Sequence, residues 1–282
     1  RRSSDLYRNN VRKAVYWLTS QQQPNGRIGP HRYEAGIALM AMAEAYGMSG
    51  GGDLRRVAQK CVDYAAKAQC PAGAFDYAPA SQRNDTSVFG WWVMGIKSAK
   101  VASLRVPYGV IEKAIRYIQA ATATKDTYGA SVSYASKTAT VDGVKRGGGS
   151  SRLTAVALTC LQFLGRPRAD EQVVACAHQA VQDGVPAPGR SDFYRWYYGS
   201  LGLLQFGIKT PQWRAYGDAL YETLMATQVK AGTVQEHKGS WNYDTEHFGD
   251  RWGRVGQTAL GALMLEVCFR YSNVHGRKPR RQ

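Results

Sequence analysis

The amino-acid sequence predicts an all-α fold, a closed double ring of about five helix pairs, and three observations support it. Hydrophobic residues follow a helical period almost throughout the chain. Two kinds of helix alternate, one with a single apolar face and one that is apolar on nearly every face. The helix pairs recur at a loose period of about 50 residues, which is typical of a repeat architecture.

The first kind of helix is amphipathic and should lie in the outer circle. Residues 107–122 are an example, because Val110, Ala114 and Ile118 share one face while Glu112 lies on the other. This spacing is that of a half-exposed helix, which keeps one face in water.

The second kind of helix has few polar residues and should be buried on all sides, in the inner circle. The segments of this kind are 34–46, 86–99, 153–164, 194–206 and 255–269. An open solenoid would leave both helices of each pair half exposed, so the alternation of the two kinds favours a closed ring.

A short motif recurs where the amphipathic helices end. In the first copy, Trp17 and Leu18 precede Gln21, Gly26 and Ile28. The second copy contains Tyr64, Ala65, Gln69, Gly73 and Phe75, and the third contains Leu224, Met225, Gln228, Gly239 and Trp241. The motif resembles the QW repeat of the squalene-cyclase and protein-prenyltransferase superfamily, which implies an α/α toroid.

A closer resemblance is carried by residues 85–91, 192–198, 239–241 and 253–260. These segments are similar to squalene-cyclase-like repeat proteins of planctomycete bacteria, a group with an assigned fold but no assigned reaction. The resemblance implies one toroid domain over residues 5–271, flanked by basic tails at 1–4 and 272–282.

The catalytic motifs of this superfamily are largely missing. Of the D-x-D-D acid cluster of the cyclases only Asp85 is present, as either a helix cap or a Brønsted acid. The D-x-C zinc motif of the prenyltransferases is absent, so no metal and no cofactor are predicted. The loop 236–251 holds two histidines and four acids, and His247 is therefore a second catalytic candidate; the alternative is an ordered polar loop.

A segment of about 28 residues, 124–151, is unusually long for a loop in a compact domain. It contains a short strand-like stretch at 131–134, several basic and tyrosine residues, and three consecutive glycines at 147–149 that could act as a hinge. We interpret it either as a mobile lid or as a plain flexible insertion.

The predicted function is the binding of a ligand or partner, with an apolar, isoprenoid-like molecule in a central aromatic cavity as the specific hypothesis. The candidate ligand-binding residues are Trp91, Trp92, Tyr194, Trp196, Tyr197, Tyr198, Arg254 and Gln257. Ordinary core packing is the alternative for each aromatic residue. Two further functions stay open, an enzyme (a terpenoid cyclase or a polysaccharide-acting toroid) and a scaffold that docks an acidic partner.

The formal net charge of +16 is concentrated at the two ends of the chain. Residues 1–13 carry five cations and one acid, and residues 272–282 carry four cations and no acid, so each end contributes +4. These tails could bind an acidic partner or simply aid solubility. No apolar run approaches the roughly 20 residues needed to span a bilayer, so we expect a soluble domain, excised from a longer or membrane-anchored protein. The sequence assigns no compartment.

Overall fold

A computed structural model describes residues 7–30, 32–126, 128–230, 234–243 and 249–270 of the chain. Helices dominate the described residues, which confirms the all-α prediction. They are α1 (Arg8–Ser20), α2 (Arg32–Ser49), α3 (Gly52–Ala68), α4 (Thr86–Val101), α5 (Tyr108–Ala121), α6 (Ser151–Phe163), α7 (Glu171–Gln182), α8 (Phe193–Gly207), α9 (Pro211–Thr227), α10 (Gly249–Leu265) and α11 (Val267–Arg270). No helix in the described part of the chain is long and apolar enough to cross a membrane.

Short strands lie within and beside the long segment that was predicted as a lid or a flexible insertion. The strands are β1 (Arg83–Asp85), β2 (Thr122–Thr124), β3 (Ala130–Val132) and β4 (Ala135–Lys137). β1 pairs antiparallel with β4, and β2 pairs antiparallel with β3. The strand-like stretch expected at 131–134 thus overlaps β3.

The glycines expected to act as a hinge instead pack closely. A Cβ atom on Gly149 would lie 1.9 Å from the carbonyl oxygen of Val132 in β3, and one on Gly147 would lie 2.6 Å from Oγ of Ser131. Small residues are therefore needed here because the backbone approaches β3, which is a packing role.

The described chain divides into two compact units. The first comprises Arg1–Ala121 and Tyr134–Lys145, and its core lies where α2 packs against α4. The second comprises Thr122–Ser133 and Arg146–Gln282, and its core lies where α6 packs against α8. One toroid domain over residues 5–271 stays a prediction.

The burial of the helices confirms the two predicted classes in most cases. Every residue of α8 is buried, and in α4 only Lys97, Lys100 and Val101 are not. α5 buries Val110, Ala114 and Ile118 and exposes Glu112 on its opposite face, as expected for an outer helix.

The segment 255–269 was predicted to be buried on all sides, and that prediction is wrong. Val255 in α10 is 85% exposed and Phe269 in α11 is 89% exposed, whereas Leu260 and Met264 are buried. α10 packs on α8, and Val255, Ala259 and Ala262 along another face of the helix are exposed. The segment therefore carries more apolar side chains than its described neighbours bury.

The recurring Gln–Gly motif forms a defined junction with the next amphipathic helix. In the first copy the amide Nε2 of Gln22 donates to the carbonyl oxygens of Gly26 (3.3 Å) and Val57 in α3 (2.9 Å). The recurring motif was traced through the adjacent Gln21, whose side chain is exposed. Gly26 has a φ of +94°, and a Cβ atom there would lie 2.2 Å from the carbonyl oxygen of Lys60.

The second copy repeats this geometry one helix pair later. Nε2 of Gln69 donates to the carbonyl oxygens of Gly73 and of Val110 in α5, both at 2.9 Å. A Cβ atom on Gly73, whose φ is +108°, would lie 2.2 Å from the carbonyl oxygen of Lys113. In both copies, the carbonyl that accepts from the glutamine and the carbonyl that lies against the glycine belong to residues three apart on the following amphipathic helix. The motif therefore docks each amphipathic helix on the next.

Candidate functional site

The candidate site of the first unit lies at the N-terminus of α4, where the long segment returns to β1. In the antiparallel register of β1 and β4, Arg83 lies opposite Lys137 and Asp85 lies opposite Ala135. The carbonyl oxygen of Tyr134 accepts a 2.9 Å hydrogen bond from the amide of Thr86, the first residue of α4. Two features that the sequence treated separately, Asp85 and the long segment, therefore meet at one place.

Asp85 caps α4, as one of its two sequence interpretations predicted. Its Oδ1 accepts from the amides of Ser87 (2.9 Å) and Val88 (3.1 Å) and from the Ser87 hydroxyl (2.6 Å). The Asp85 side chain is fully buried, and its Oδ2 accepts from Nη2 of Arg83 at 2.8 Å. Both oxygens are thus engaged, which favours the structural role; the role of Brønsted acid stays a prediction.

Arg83 is held in place by two buried carboxylates. Nη1 of Arg83 donates to Oδ1 of Asp76, and Nη2 donates to Asp85. The second oxygen of Asp76 accepts from the Ser81 hydroxyl at 2.7 Å. Burial lowers the pKa of Arg83, but the hydrogen bonds and charges of Asp85 and Asp76 raise it further, so the net pKa is raised. The result is a permanently charged guanidinium of fixed orientation, whose side chain is still 38% exposed.

Two half-exposed tyrosine rings flank this guanidinium. The Cζ atom of Arg83 lies 5.7 Å from the ring centroid of Tyr77 and 6.0 Å from that of Tyr134. Tyr77 is 50% exposed and Tyr134 is 49% exposed. Such distances are within the range of cation–π attraction, which fixes the rings beside the charge.

Tyr33 completes the cluster from α2. Its hydroxyl lies 2.6 Å from Oγ of Ser87, and its ring meets that of Tyr77 edge-on with centroids 5.5 Å apart. Burial is the main cause that raises the pKa of both Tyr33 and Tyr77, so both phenols are neutral at physiological pH. We call Tyr33, Tyr77, Arg83 and Tyr134 the Arg83 site.

The sequence pointed to Asp85 as a candidate and to the long segment that contains Tyr134, but it did not identify Tyr33, Tyr77 and Arg83 as partners. The side chains come from α2, the turn before β1, β1 itself and the approach to β4. No periodicity links these positions. The concentration of tyrosine and basic residues in the long segment was a detectable signal for Tyr134 alone, because Tyr33, Tyr77 and Arg83 lie outside that segment.

The aromatic residues predicted to line a central cavity are buried among other side chains. In the first unit, Trp92 is fully buried and stacks on Phe75 with ring centroids 4.7 Å apart and 11° between the planes, and Trp91 is 5% exposed. The candidates in the second unit are buried as well, namely Tyr194, Trp196, Tyr197 and Tyr198. Core packing accounts for these positions, and their role in ligand binding stays a prediction.

Arg254 and Gln257 of α10 differ in their surroundings. Nη1 of Arg254 donates to Oγ of Ser240 at 3.0 Å. Gln257 is fully buried, and neither atom of its amide has a hydrogen-bond partner among the described residues. A buried amide without a partner is costly, and a ligand-binding role for Gln257 stays a prediction. His247 lies outside the described residues. Among described residues, no group of three potential ligands could hold a metal ion.

A second charged group lies where α8 begins in the second unit. Asp192 caps α8 by accepting from the amide of Arg195 at 3.0 Å, and its Oδ2 lies 2.7 Å from Nε of Arg152. Nη1 of Arg195 donates to the carbonyl oxygens of Asp183 and Gly184. These groups satisfy helix ends, so the cluster is structural.

We expect Asp183→Asn to stabilise the protein at pH 7. Oδ2 of Asp183 is buried with no described donor, while Oδ1 accepts from Gln179 at 2.9 Å. Burial, partly offset by Gln179 and by the charge of Arg195, raises the pKa of Asp183, and the carboxylate lies at the C-terminal cap of α7. Because the pKa of Asp183 is higher in the folded than in the unfolded protein, ionisation of this carboxylate destabilises the fold. The destabilisation is absent at low pH and grows as the pH rises through the two pKa values.

The expected gain is about 0.5 kcal/mol at pH 7 and none near pH 3, measured by urea unfolding at both pH values. Asp63→Asn is the matched control, because Asp63 accepts from Gln59 with the same four-residue spacing but is exposed. A gain for Asp183→Asn that persists unchanged at pH 3 would contradict the electrostatic cause.

Comparison with solved structures identifies the fold of the chain. One similar structure is the unsaturated glucuronyl hydrolase from Bacillus sp. GL1, described as responsible for the degradation of glycosaminoglycan. Another is a UGL variant with dGlcA-Glc-Rha-Glc. Each matches 97% of this chain and 84% of its own chain, with a TM-score of 0.60 and 15% sequence identity. The chain has the α/α-toroid fold.

The sequence-based comparisons add nothing to this assignment. No protein-family model and no curated protein matches the chain. The predicted toroid is thus confirmed at the level of the fold, whereas the resemblance to squalene-cyclase-like repeat proteins of planctomycetes stays a prediction.

Proposed function

We propose that the protein binds an acidic saccharide chain at the Arg83 site. The observation that carries the proposal is a guanidinium of fixed orientation between two half-exposed tyrosine rings, brought together from positions 77, 83 and 134. Tyrosine combines an apolar face, on which a sugar ring can stack, with a hydroxyl that can hydrogen-bond to the sugar. A few fixed polar groups among aromatic side chains are typical of small-molecule sites.

The distribution of charge at the site favours an acidic saccharide over a neutral one. The carboxylates of Asp76 and Asp85 are 6% and 0% exposed, whereas Arg83 is partly exposed and Lys137, opposite it in the register, is exposed. The acids therefore lie beneath the surface and the cations face solvent. Carboxylate or sulfate groups of a saccharide would meet cations first.

Two further findings support this substrate class. The similar solved structures include a hydrolase described as degrading glycosaminoglycan, which is an acidic polysaccharide. The chain also carries a net charge of +16, which attracts polyanions over long distances. An apolar, isoprenoid-like ligand has less support, because the aromatic residues proposed for it are packed against one another.

An enzyme that cleaves such a saccharide is the second candidate, favoured by the likeness to a glucuronyl hydrolase. Glycoside cleavage requires a carboxylic acid near the scissile bond that can donate a proton. At the Arg83 site both carboxylates are buried and bound to Arg83. Release of new saccharide ends from an unsaturated glucuronyl oligosaccharide, measured alongside binding, separates an enzyme from a binding protein.

The expected result is binding of chondroitin sulfate that is weakened about tenfold by Tyr77→Ala and by Tyr134→Ala, as measured by isothermal titration calorimetry. Each substitution removes one stacking ring without touching the buried ion pairs. Lys137→Gln should weaken binding as well and reduce its salt dependence, because it removes an exposed cation.

Tyr108→Ala is the matched control, because Tyr108 is 77% exposed on α5 and is not part of the site. A neutral glucan of the same length should bind more weakly than the sulfated chain. The proposal fails if Tyr77→Ala and Tyr134→Ala bind like Tyr108→Ala, or if deletion of residues 272–282 alone abolishes binding, since the basic tail would then be the partner site.

A further inference from the structure

A chain of hydroxyl groups connects the surface of the Arg83 site to a buried carboxylate. Oγ of Ser87 lies 2.6 Å from Oδ1 of Asp85 and 2.6 Å from the hydroxyl of Tyr33. The hydroxyl of Tyr33 is in turn hydrogen-bonded to that of Tyr77, and the two rings meet edge-on. Asp85 is fully buried and Ser87 is 8% exposed, whereas Tyr77 is 50% exposed. The chain of hydroxyls therefore leads from the protein interior to the surface.

The buried end sets the direction of every hydrogen bond in this chain. Oδ1 of Asp85 also accepts from two backbone amides and Oδ2 accepts from Arg83, so this carboxylate is an acceptor at both oxygens. A hydroxyl group has one proton to donate, and that of Ser87 is therefore donated to Asp85. Oγ of Ser87 then accepts from the hydroxyl of Tyr33, whose oxygen accepts from the hydroxyl of Tyr77. At the surface, the oxygen of Tyr77 is left in the role of an acceptor.

The neighbouring guanidinium has the opposite hydrogen-bonding character. Arg83 carries N–H donors and no acceptor, its side chain is 38% exposed, and its Cζ atom lies 5.7 Å from the ring centroid of Tyr77. The Arg83 site therefore presents oriented donors beside an oriented acceptor. A saccharide matches this arrangement when its anionic group accepts from Arg83 and a nearby sugar hydroxyl donates to Tyr77.

We propose that Tyr33 and Ser87 are positioning residues that hold the hydroxyl of Tyr77 as an acceptor, so that the site selects acidic saccharides with a hydroxyl donor beside the anionic group. The inference rests on the proposed function, because it concerns which acidic saccharides the Arg83 site takes. A saccharide with blocked hydroxyls keeps its charge but has no proton to donate to Tyr77. Discrimination against such a saccharide is what the chain of hydroxyls adds to stacking and charge.

The test compares a chondroitin sulfate tetrasaccharide with its O-methylated form, which has the same charge but whose methyl ethers accept and do not donate. Wild-type protein should bind the O-methylated form about tenfold more weakly in isothermal titration calorimetry, the effect of one lost hydrogen bond. Tyr77→Phe removes the acceptor, so this ratio of affinities should fall to about 2. Because the added methyl groups are present for every variant, a change in the ratio reports the hydroxyl contact itself.

Tyr33→Phe separates positioning from contact, because it leaves the side chain of Tyr77 intact. Without the oxygen of Tyr33 as its acceptor, the hydroxyl of Tyr77 rotates and donates to a methyl ether as readily as it accepts from a sugar hydroxyl. The ratio of affinities should therefore fall through tighter binding of the O-methylated form. Ser87→Ala should change the ratio in the same direction, since Tyr33 then donates to Tyr77.

Tyr117→Phe is the matched control for Tyr33→Phe. The hydroxyl of Tyr117 is also hydrogen-bonded to a hydroxyl of α4, at 2.7 Å from Oγ1 of Thr86, but Tyr117 is fully buried and is not part of the Arg83 site. This variant should lose stability in urea unfolding yet keep the wild-type ratio of affinities. An equal change of the ratio in Tyr117→Phe and Tyr33→Phe would indicate a general disturbance of α4 and overturn the proposal.

The remaining outcomes separate this inference from the proposed function. If chondroitin sulfate binds and Tyr77→Ala weakens its binding, but O-methylation weakens binding to Tyr33→Phe as much as to wild-type protein, the inference is wrong and the proposed function stands. Equal binding of the two saccharides by wild-type protein has the same meaning. If wild-type protein binds neither saccharide, the proposed function fails and the inference fails with it.

Discussion

Replacement of Gly73 by alanine should lower the free energy of unfolding by about 3 kcal/mol or more, an effect at the upper end of single substitutions. Gly73 has a φ of +108°, which disfavours any side chain, and the new Cβ would lie 2.2 Å from the carbonyl oxygen of Lys113. Neither the turn nor α5 can move without breaking the hydrogen bonds that Gln69 donates to Gly73 and Val110. Urea unfolding of the purified variant measures the loss.

Gly50→Ala is the matched control for this prediction. Gly50 also has a positive φ, +71°, and lies in the same unit, but a Cβ there would meet no described atom within 4 Å. Its substitution should cost only the backbone term, about 1 kcal/mol. Gly239→Ala should behave like Gly50→Ala. Equal losses for Gly73→Ala and Gly50→Ala would show that the junction does not constrain the turn.

Replacement of Asp85 by alanine should cost about 3–5 kcal/mol, because it removes a fully buried partner of a charged group. The substitution leaves the amides of Ser87 and Val88 without their acceptor and leaves Arg83 with one carboxylate instead of two. Asp85→Asn should lose less, since its side-chain oxygen can still cap α4 while the charge is gone. Chemical unfolding reports both changes.

Asp53→Ala is the matched control for the charged pair. Asp53 also pairs with an arginine, Arg56, at 2.8 Å, but its side chain is 88% exposed, so its loss should stay within about 0.5 kcal/mol. A loss for Asp85→Ala as small as that for Asp53→Ala would mean that the Arg83 site is held together by other contacts. Asp76 and the tyrosine rings would then fix Arg83 without Asp85.

Much of the fold was predictable because it depends on local patterns. The apolar positions of α5 and the nearly uniform apolar composition of α4 and α8 predicted which helices are half exposed and which are buried. The Gln and Gly of the recurring motif mark the two junctions described in the first unit, although the glutamine that bonds in the first copy is Gln22 and not Gln21. The strands β1–β4 were harder to predict, because three residues are too few to show an alternating pattern.

The candidate site was predictable only in part. The role of Asp85 as a cap follows from its place before an apolar helix, but its bond to Arg83 depends on how the chain turns before β1. The predictions for Trp91, Trp92, Tyr194, Trp196, Tyr197, Tyr198, Arg254 and Gln257 stay untested, as does that for His247. An aromatic residue on an apolar helix looks the same in sequence whether it faces a cavity or a neighbouring ring.

The spacing of apolar residues thus determined the helices, their two classes and their order, because burial along a helix is set by residues three and four apart. Only the tertiary structure decided which distant segments meet at the N-terminus of α4, since Tyr33, Arg83 and Tyr134 are about 50 residues apart in sequence. It also decided that no described residue of α1 is buried and that Val255 of α10 is exposed. The hydrophobic composition determines how much surface favours burial. Only the arrangement of neighbouring elements determines whether another element covers that surface.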